Sequence, residues 1–234
     1  MVDWTSHSVL IVDDEVELRE VFALWFSTVG CQVFKAASGT EALSLVRAQP
    51  VSAIVSDIRM PNGNGIELVE ALQQLHIHIP VIFVSAFSDI SEIDGYALGV
   101  ERVLSKPSQR KEVLEAVQWC LLSPEQRWAQ KSARPRASLE VRSAPGSPGC
   151  SFGRGGFFAP FTLACERNSV VEFRIEKPLR GIELLECQGI VRWVRRIQPP
   201  AGIGVEISYV PLPLRAQLRE ALRALETTAF IPKQ

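Results

Sequence analysis

The chain has 234 residues, 47% of them hydrophobic, with 25 basic and 26 acidic side chains. That composition is ordinary for a globular protein and excludes wholesale disorder and collagen-like repeats, and the length accommodates one large domain or two small ones at ~100–200 residues each. No apolar run approaches the ~18 residues of a membrane-spanning helix, and the opening Met1-Val2-Asp3-Trp4 has no basic region followed by an apolar one, so neither membrane insertion nor a signal peptide is expected.

The first half alternates apolar runs with helical patterns. Residues 8–12 form a short apolar run that ends in Asp13-Asp14, and 15–28 carry Val16, Leu18, Val21, Phe22, Leu24 and Trp25 at helical spacing. A strand over 31–36 and a helix over 40–48 follow, then a strand over 51–56 ending at Asp57 and a helix over 65–75. Residues 81–84 read as a strand ending at Ser85, 89–98 as a helix, 103–104 as a short strand before Lys106-Pro107, and 109–122 as a helix. Five strand–helix alternations predict a parallel sheet covered by helices on both faces, a domain over 1–123.

The polar stretch 124–133 reads as a linker. Over 134–234 the texture changes to short β-like runs at 139–141, 170–175, 182–187, 190–194 and 203–207. Gly- and Pro-rich turns separate them at 144–149, 153–156, 177–178 and 199–202, which predicts a small antiparallel barrel or sandwich. Leu214, Leu218, Leu222 and Leu225 share one face of a final amphipathic helix, with Arg215, Arg219 and Arg223 on another. Charge divides at the same place: 8 Lys/Arg against 16 Asp/Glu in 1–123, and 17 against 10 in 124–234, a net of −8 and +7. Opposite charges favour docking of the two halves, with strong salt dependence. The five cysteines, at 31, 120, 150, 165 and 187, lie far apart with no Cys-x-x-Cys. That fits a reducing, cytoplasmic setting and argues against a disulfide framework or zinc ribbon.

Asp13-Asp14, Asp57, Ser85 and Lys106 each close a predicted parallel strand, where open α/β sheets build their ligand sites. Three crowded carboxylates repel one another and call for a cation. Mg2+ takes such hard oxygens and keeps several waters. One carboxylate can then act as a nucleophile toward phosphorus, with a lysine and a hydroxyl holding the phosphoryl oxygens.

Val12-Asp13-Asp14-Glu15, Asp57-Ile58-Arg59-Met60-Pro61 with Gly65, Ser85-Ala86 and Lys106-Pro107 together resemble the receiver domain of two-component response regulators, over about residues 7–122. The resemblance implies a flavodoxin-like (βα)5 fold with strand order 2-1-3-4-5. It makes Asp57 the phosphoacceptor of a sensor histidine kinase, Ser85 the switch hydroxyl and Lys106 the phosphoryl-pairing lysine. It assigns Mg2+ to Asp13, Asp14, Asp57 and the backbone carbonyl of Arg59, and implies a cis peptide before Pro107. One position departs from the pattern: Val103 stands where a Phe or Tyr usually relays phosphorylation, so the signal would pass through backbone shifts of the 85–92 loop. Chemistry beyond self-phosphotransfer and auto-dephosphorylation is not expected. His76 and His78 lack a third ligand nearby and read as a polar loop.

The basic half has no histidine, no Gly-Lys-Ser/Thr phosphate loop and no helix pair for DNA binding, which excludes triad catalysis and makes DNA an unexpected partner. Arg134-Pro135-Arg136, the turn 151–158, Gly189-Ile190-Val191-Arg192-Trp193-Val194 and 202–207 resemble a PilZ domain, a six-stranded all-β barrel with a C-terminal helix here, over about 131–226. Many members bind cyclic di-GMP through Arg-x-x-x-Arg and Asp/Asn-x-Ser-x-x-Gly. Arg136 and Gly156 match that signature; Ser132, flanked by Lys131 and Arg134, Ser151 and Gly153 stand where the first Arg, the Asp/Asn and the Ser would be. Each unpaired group costs ~1–3 kcal/mol, about one to two decades of affinity. The expectation is weak or no cyclic di-GMP binding at Arg134, Arg136, Ser151, Gly153 and Gly156, and output through an unidentified downstream protein or a homodimer formed by the 85–110 face. The alternative is a cyclic di-GMP receptor whose receiver tunes its affinity.

Overall fold

Val, Ile and Leu dominate β1 (Ser8–Val12), β3 (Ala53–Ser56) and β4 (Val81–Ser85), and every residue of these three strands is buried. Strands so apolar on both faces belong in the middle of a parallel sheet covered on two sides. With β2 (Gln32–Ala36) and β5 (Arg102–Ser105) they form a parallel sheet in the order β2-β1-β3-β4-β5, the flavodoxin-like order expected.

Helices α2 (Gly39–Ala48) and α3 (Gly65–Gln74) bury Ala42, Val46, Leu68, Val69 and Leu72 against one face. Helices α1 (Val16–Ser27) and α5 (Arg110–Leu121) bury Phe22, Phe26, Val113 and Val117 against the other. Local chemistry sets their starts. Ser38 caps α2, and Asn64 and Glu67 form a reciprocal capping box on α3. The short α4 (Glu92–Leu98) is capped by Ser91.

Described are residues 2–86, 89–141, 149–160, 165–196, 201–225 and 228–234 of this computed structural model, which divides into two compact units, Met1–Leu122 and Ser123–Gln234. Residues 87–88 of the 85–92 loop, the turn signal at 144–148 and residues 199–200 of the turn at 199–202 lie outside the described residues.

The second unit holds α6 (Pro124–Arg127), β6 (Ala137–Val141), β7 (Ser151–Phe152), β8 (Gly156–Ala159), β9 (Val170–Leu179), β10 (Ile182–Arg195), β11 (Gly202–Tyr209) and α7 (Leu212–Arg223). Its six strands form one sheet in the order β6-β9-β10-β11-β8-β7. The sheet is mixed where an antiparallel one was expected: β6 runs parallel to β9, because the β7–β8 hairpin on the opposite edge lies between them in the chain. Among the described residues no ladder joins β6 to β7, and the six strands form a curled mixed sheet.

The two runs 182–187 and 190–194 are one strand. Bulges at Gln188/Gly189 and Val191/Trp193 bend it and break its alternation. The turn at 151–158 is itself the β7–β8 hairpin. β9 alternates cleanly, with Val171, Phe173 and Ile175 inward and Glu172, Arg174 and Glu176 outward. Leu218 and Leu222 of α7 join that core.

The 124–133 segment, expected as a linker, contributes structure to this unit. Ser123 and Gln126 make a capping box on α6, Trp128 is buried in the second core, and its carbonyl accepts from Val210 N at 2.9 Å. An aromatic side chain in a polar stretch finds its partners only through the tertiary fold.

Candidate functional site

Four strand ends converge at the carboxyl edge of the parallel sheet. Asp13 follows β1, Asp57 follows β3, Ser85 ends β4 and Lys106 follows β5. Backbone bonds lock the ends together: Asp57 N donates to Val12 O at 2.8 Å, and Lys106 N to Ser85 O at 2.9 Å. The Lys106-Pro107 peptide is cis, as expected.

Lys106 Nζ donates to Asp13 Oδ2 and to Asp57 Oδ2, each at 3.0 Å. Asp57 Oδ1 accepts from its neighbour Ile58 N at 2.7 Å and from Ser85 Oγ at 3.0 Å. Asp13 Oδ1 accepts from Glu15 N at 2.9 Å. Asp13 is 1% exposed and Asp57 9%, while Asp14 stands in solvent. Burial raises the Asp13 carboxyl above its ordinary range, with the Lys106 ammonium working against the shift. Burial alone would lower Lys106, but hydrogen bonds and charge from Asp57 and Asp13 outweigh it and hold the ammonium above its ordinary value.

One carboxylate oxygen from each of Asp13, Asp14 and Asp57 lies within 4.8 Å of the others. These are hard donors of the kind Mg2+ takes, and the exposed Asp14 leaves room for an ion that keeps its waters. The donor set fits that ion.

Asp89 carries no signal in the sequence. Its side chain is 5% exposed, accepts from Ser85 Oγ and pairs with Arg59 Nε. The single Ser85 proton is thus shared between Asp57 and Asp89, and Arg59 leans on the second acceptor. Ile58, Arg59, Met60, Asn64, Ile66 and Asp89 line a shallow cavity beside the cluster. Val103 presses a methyl into the space where a Cβ on Gly95 would stand, 2.5 Å away, and next to that glycine on α4 Tyr96 is 3% exposed.

In the second unit Ser151, Gly153 and Gly156 share the β7–β8 hairpin, with Gly153 N donating to Gly156 O at 2.8 Å. Arg136 pairs with Glu166 at 2.9 Å. Ser132, at the first-arginine position, exchanges hydrogen bonds with the buried Gln188 amide, and Arg134 N donates to Ser132 Oγ. Ser151 pairs across the hairpin with Phe158. Gly156 lies against the Val205 carbonyl, and Gly153 faces the carbonyls of Ala229 and Phe230.

A doubly wound sheet whose strand ends gather three carboxylates, a lysine and a hydroxyl is the architecture of an acidic phosphoryl site. Residues 9–118 match the family model of the response regulator receiver domain, and the first unit is a receiver domain of that family. The chain is 34% identical over 117 residues to Regulator of RpoS from Escherichia coli, covering 50% of this chain and 35% of that protein. It is 32% identical over 114 residues to Nodulation protein W of Bradyrhizobium diazoefficiens, covering 48% of this chain and 50% of the other. Among solved structures, the receiver domain of a Francisella response regulator is 30% identical, with a TM-score of 0.47, over 49% of this chain and 96% of that one. The chain thus spans about a third to a half of the length of these curated relatives. No helix among the described residues is long and apolar enough to cross a membrane.

Proposed function

We propose that the protein is a two-component response regulator in which Asp57 accepts a phosphoryl group from a sensor histidine kinase and the second unit carries the output through protein contact. The observation that carries this is the pair of 3.0 Å bonds from Lys106 Nζ to Asp57 and Asp13, with Ser85 Oγ on the other Asp57 oxygen.

An Asp57 carboxylate oxygen attacks the phosphorus of a phosphohistidine. The new O–P bond forms as the P–N bond breaks, and the imidazole leaves with the bonding pair and takes up a proton from solvent. Lys106 neutralises phosphoryl oxygens as charge gathers on them, and Ser85 turns its hydroxyl onto one. Asp13, Asp14, Asp57 and the carbonyl of Arg59 would hold Mg2+, which when bound would supply positive charge to offset the crowded anions.

When Ser85 donates to the phosphoryl group it leaves Asp89, which keeps its ion pair with Arg59. That exchange gives the 85–92 loop two hydrogen-bonding arrangements without an aromatic at 103. The second unit is read as a PilZ-like protein-interaction module and not a cyclic di-GMP receptor. Supporting this are the Arg136–Glu166 pair, Ser132 at the first-arginine position, and a glycine turn covered by the chain itself.

Incubation of the full chain with acetyl phosphate and Mg2+ should label one acid-stable, base-labile site per chain, and Asp57→Ala should carry none. Equal labelling of the variant would overturn the assignment.

A further inference from the structure

In the second unit, β8, β11 and β10 send Phe157, Val205 and Val191 into the core. The alternating residues face the other way. There Phe158, Gly204 and Trp193 stand in register across the three strands. The Phe158 and Trp193 rings stack with centroids 5.7 Å apart and planes 17° apart, and Trp193 lies flat on Gly204, where a Cβ would be 2.0 Å from the indole. Both rings are only 3% exposed although they lie outside the core.

The segment Thr228–Gln234 lies on this side of the sheet, at the glycine turn. Arg154 N donates to Ala229 O at 2.9 Å and Gly155 N to Phe230 O at 3.0 Å. Arg154 Nε donates to Thr228 O at 3.1 Å. Arg195, whose guanidinium lies 5.7 Å from both ring centroids, donates to Lys233 O at 2.6 Å. The Phe230 ring occupies the space above Gly155, where a Cβ would come within 2.0 Å of it. Phe230 is 2% exposed and Ile231 is fully buried.

We propose that this trough is a peptide-binding site, with Gly155, Arg154 and Arg195 as its backbone-reading groups, and that residues 228–233 are its tethered occupant. The partner it fits is an extended segment carrying Phe-Ile-Pro or a close apolar equivalent. Three features fix that chemistry. The hydrogen bonds from Arg154, Gly155 and Arg195 run to the occupant's main-chain carbonyls, so they select an extended backbone and not a side-chain sequence. Selectivity then falls to the ring over Gly155 and to Pro232, whose Cδ would meet a Cβ on Gly153 at 3.0 Å. The Trp193 indole N–H is buried with no acceptor among the described residues, so the tethered segment leaves one donor for a better-matched peptide to satisfy. The donors that an anionic nucleotide would need at 154–155 are the ones already used.

The inference rests on reading the second unit as a protein-interaction module. The test is the full chain beside a variant lacking residues 228–234, with a synthetic peptide of that sequence as probe and no phosphoryl donor present. The truncated chain should bind the peptide in the tens of micromolar. The intact chain should bind at least about tenfold more weakly, since a tethered segment competes at ~1 mM effective concentration. Hydrogen exchange at the 154 and 155 amides should rise on truncation and fall again with added peptide. A folded truncated chain that ignores the peptide overturns the proposal. If truncation unfolds the second unit, Phe230→Ala in the full chain decides by the same amide readout: protection regained with wild-type peptide supports the site, and unchanged exchange overturns it. Cyclic di-GMP bound by the intact chain would instead overturn the interaction-module reading beneath it.

Discussion

In the receiver unit, four strand ends link Asp13 to Lys106, Lys106 to Asp57 and Asp57 to Ser85 by hydrogen bonds of 3.0 Å each, with Asp14 open to solvent. In the second unit, Arg136 is paired with Glu166 and the donors of the glycine turn are taken by the carbonyls of Ala229 and Phe230. The difference lies in topology. A parallel sheet puts the ends of all its strands on one edge, so residues distant in sequence must meet there. A curled mixed sheet with bulges makes no such promise, and a turn on its edge is available to whatever segment packs beside it.

The largest expected effect tests the first side of this comparison. Phosphoryl labelling should disappear in Asp57→Ala, and chelation of divalent cations with EDTA should suppress it in the intact chain and restore it on adding Mg2+. Labelling that persists in EDTA would mean that the carboxylate cluster serves some other end.

The second side is tested by packing. Gly156→Ala places a Cβ within 1.9 Å of the Val205 carbonyl, a backbone atom that cannot step aside without parting β8 from β11. The second unit should lose ~3 kcal/mol or more, comparable to the larger core substitutions, while Asp57 labelling stays normal. Urea unfolding followed by separate probes for each unit measures this. A coincident loss in both units would show that the two are not independent.

A smaller effect is expected at Asp89. Asp89→Ala removes one claimant on the Ser85 proton and releases Arg59, leaving the hydroxyl to a phosphoryl group on Asp57. The phosphorylated form should live about fivefold longer, as expected for ~1 kcal/mol of hydrogen bonding. An unchanged lifetime would remove Asp89 from the relay.

The smallest effect concerns Glu125 and Arg219, which tie α6 to α7 in a half-exposed pair. Glu125's own backbone N–H, and after it Arg219, hold the carboxyl below its ordinary value. A carboxyl lowered in the folded state stabilises above its unfolded value and loses that contribution as pH falls through the folded one. Glu125→Ala should therefore cost under ~1 kcal/mol at pH 7, and the difference from wild type should vanish in acid. A constant difference down to pH 3 would assign the effect to packing.

Much of the receiver was written in local pattern. The apolar runs of β1, β3 and β4 announce strands buried on both faces. Asp13 and Asp57 follow such runs, Ser85 closes one and Lys106 follows the short β5, so both the fold and the meeting of the four are legible in the sequence. Less of the second unit was legible. β7 and β8 are too short and glycine-rich to stand out. The bulges in β10 made one strand look like two. Trp128 sat in a polar stretch, and Asp89 at the start of a segment expected as a helix, which begins only at Glu92.

By itself, then, the sequence determined the strand–helix order, the sheet edge where the acidic residues gather, and the amphipathic helix that closes the second core. These depend on side-chain periodicity and on a topology that forces convergence. Only the tertiary structure decided that β6 runs parallel to β9, that Ser85 is shared between two carboxylates, and that 228–233 covers the glycine turn. Each of these is a contact between segments with no common local pattern, and which groups end up adjacent is set by packing and by the need to give buried backbone donors a partner.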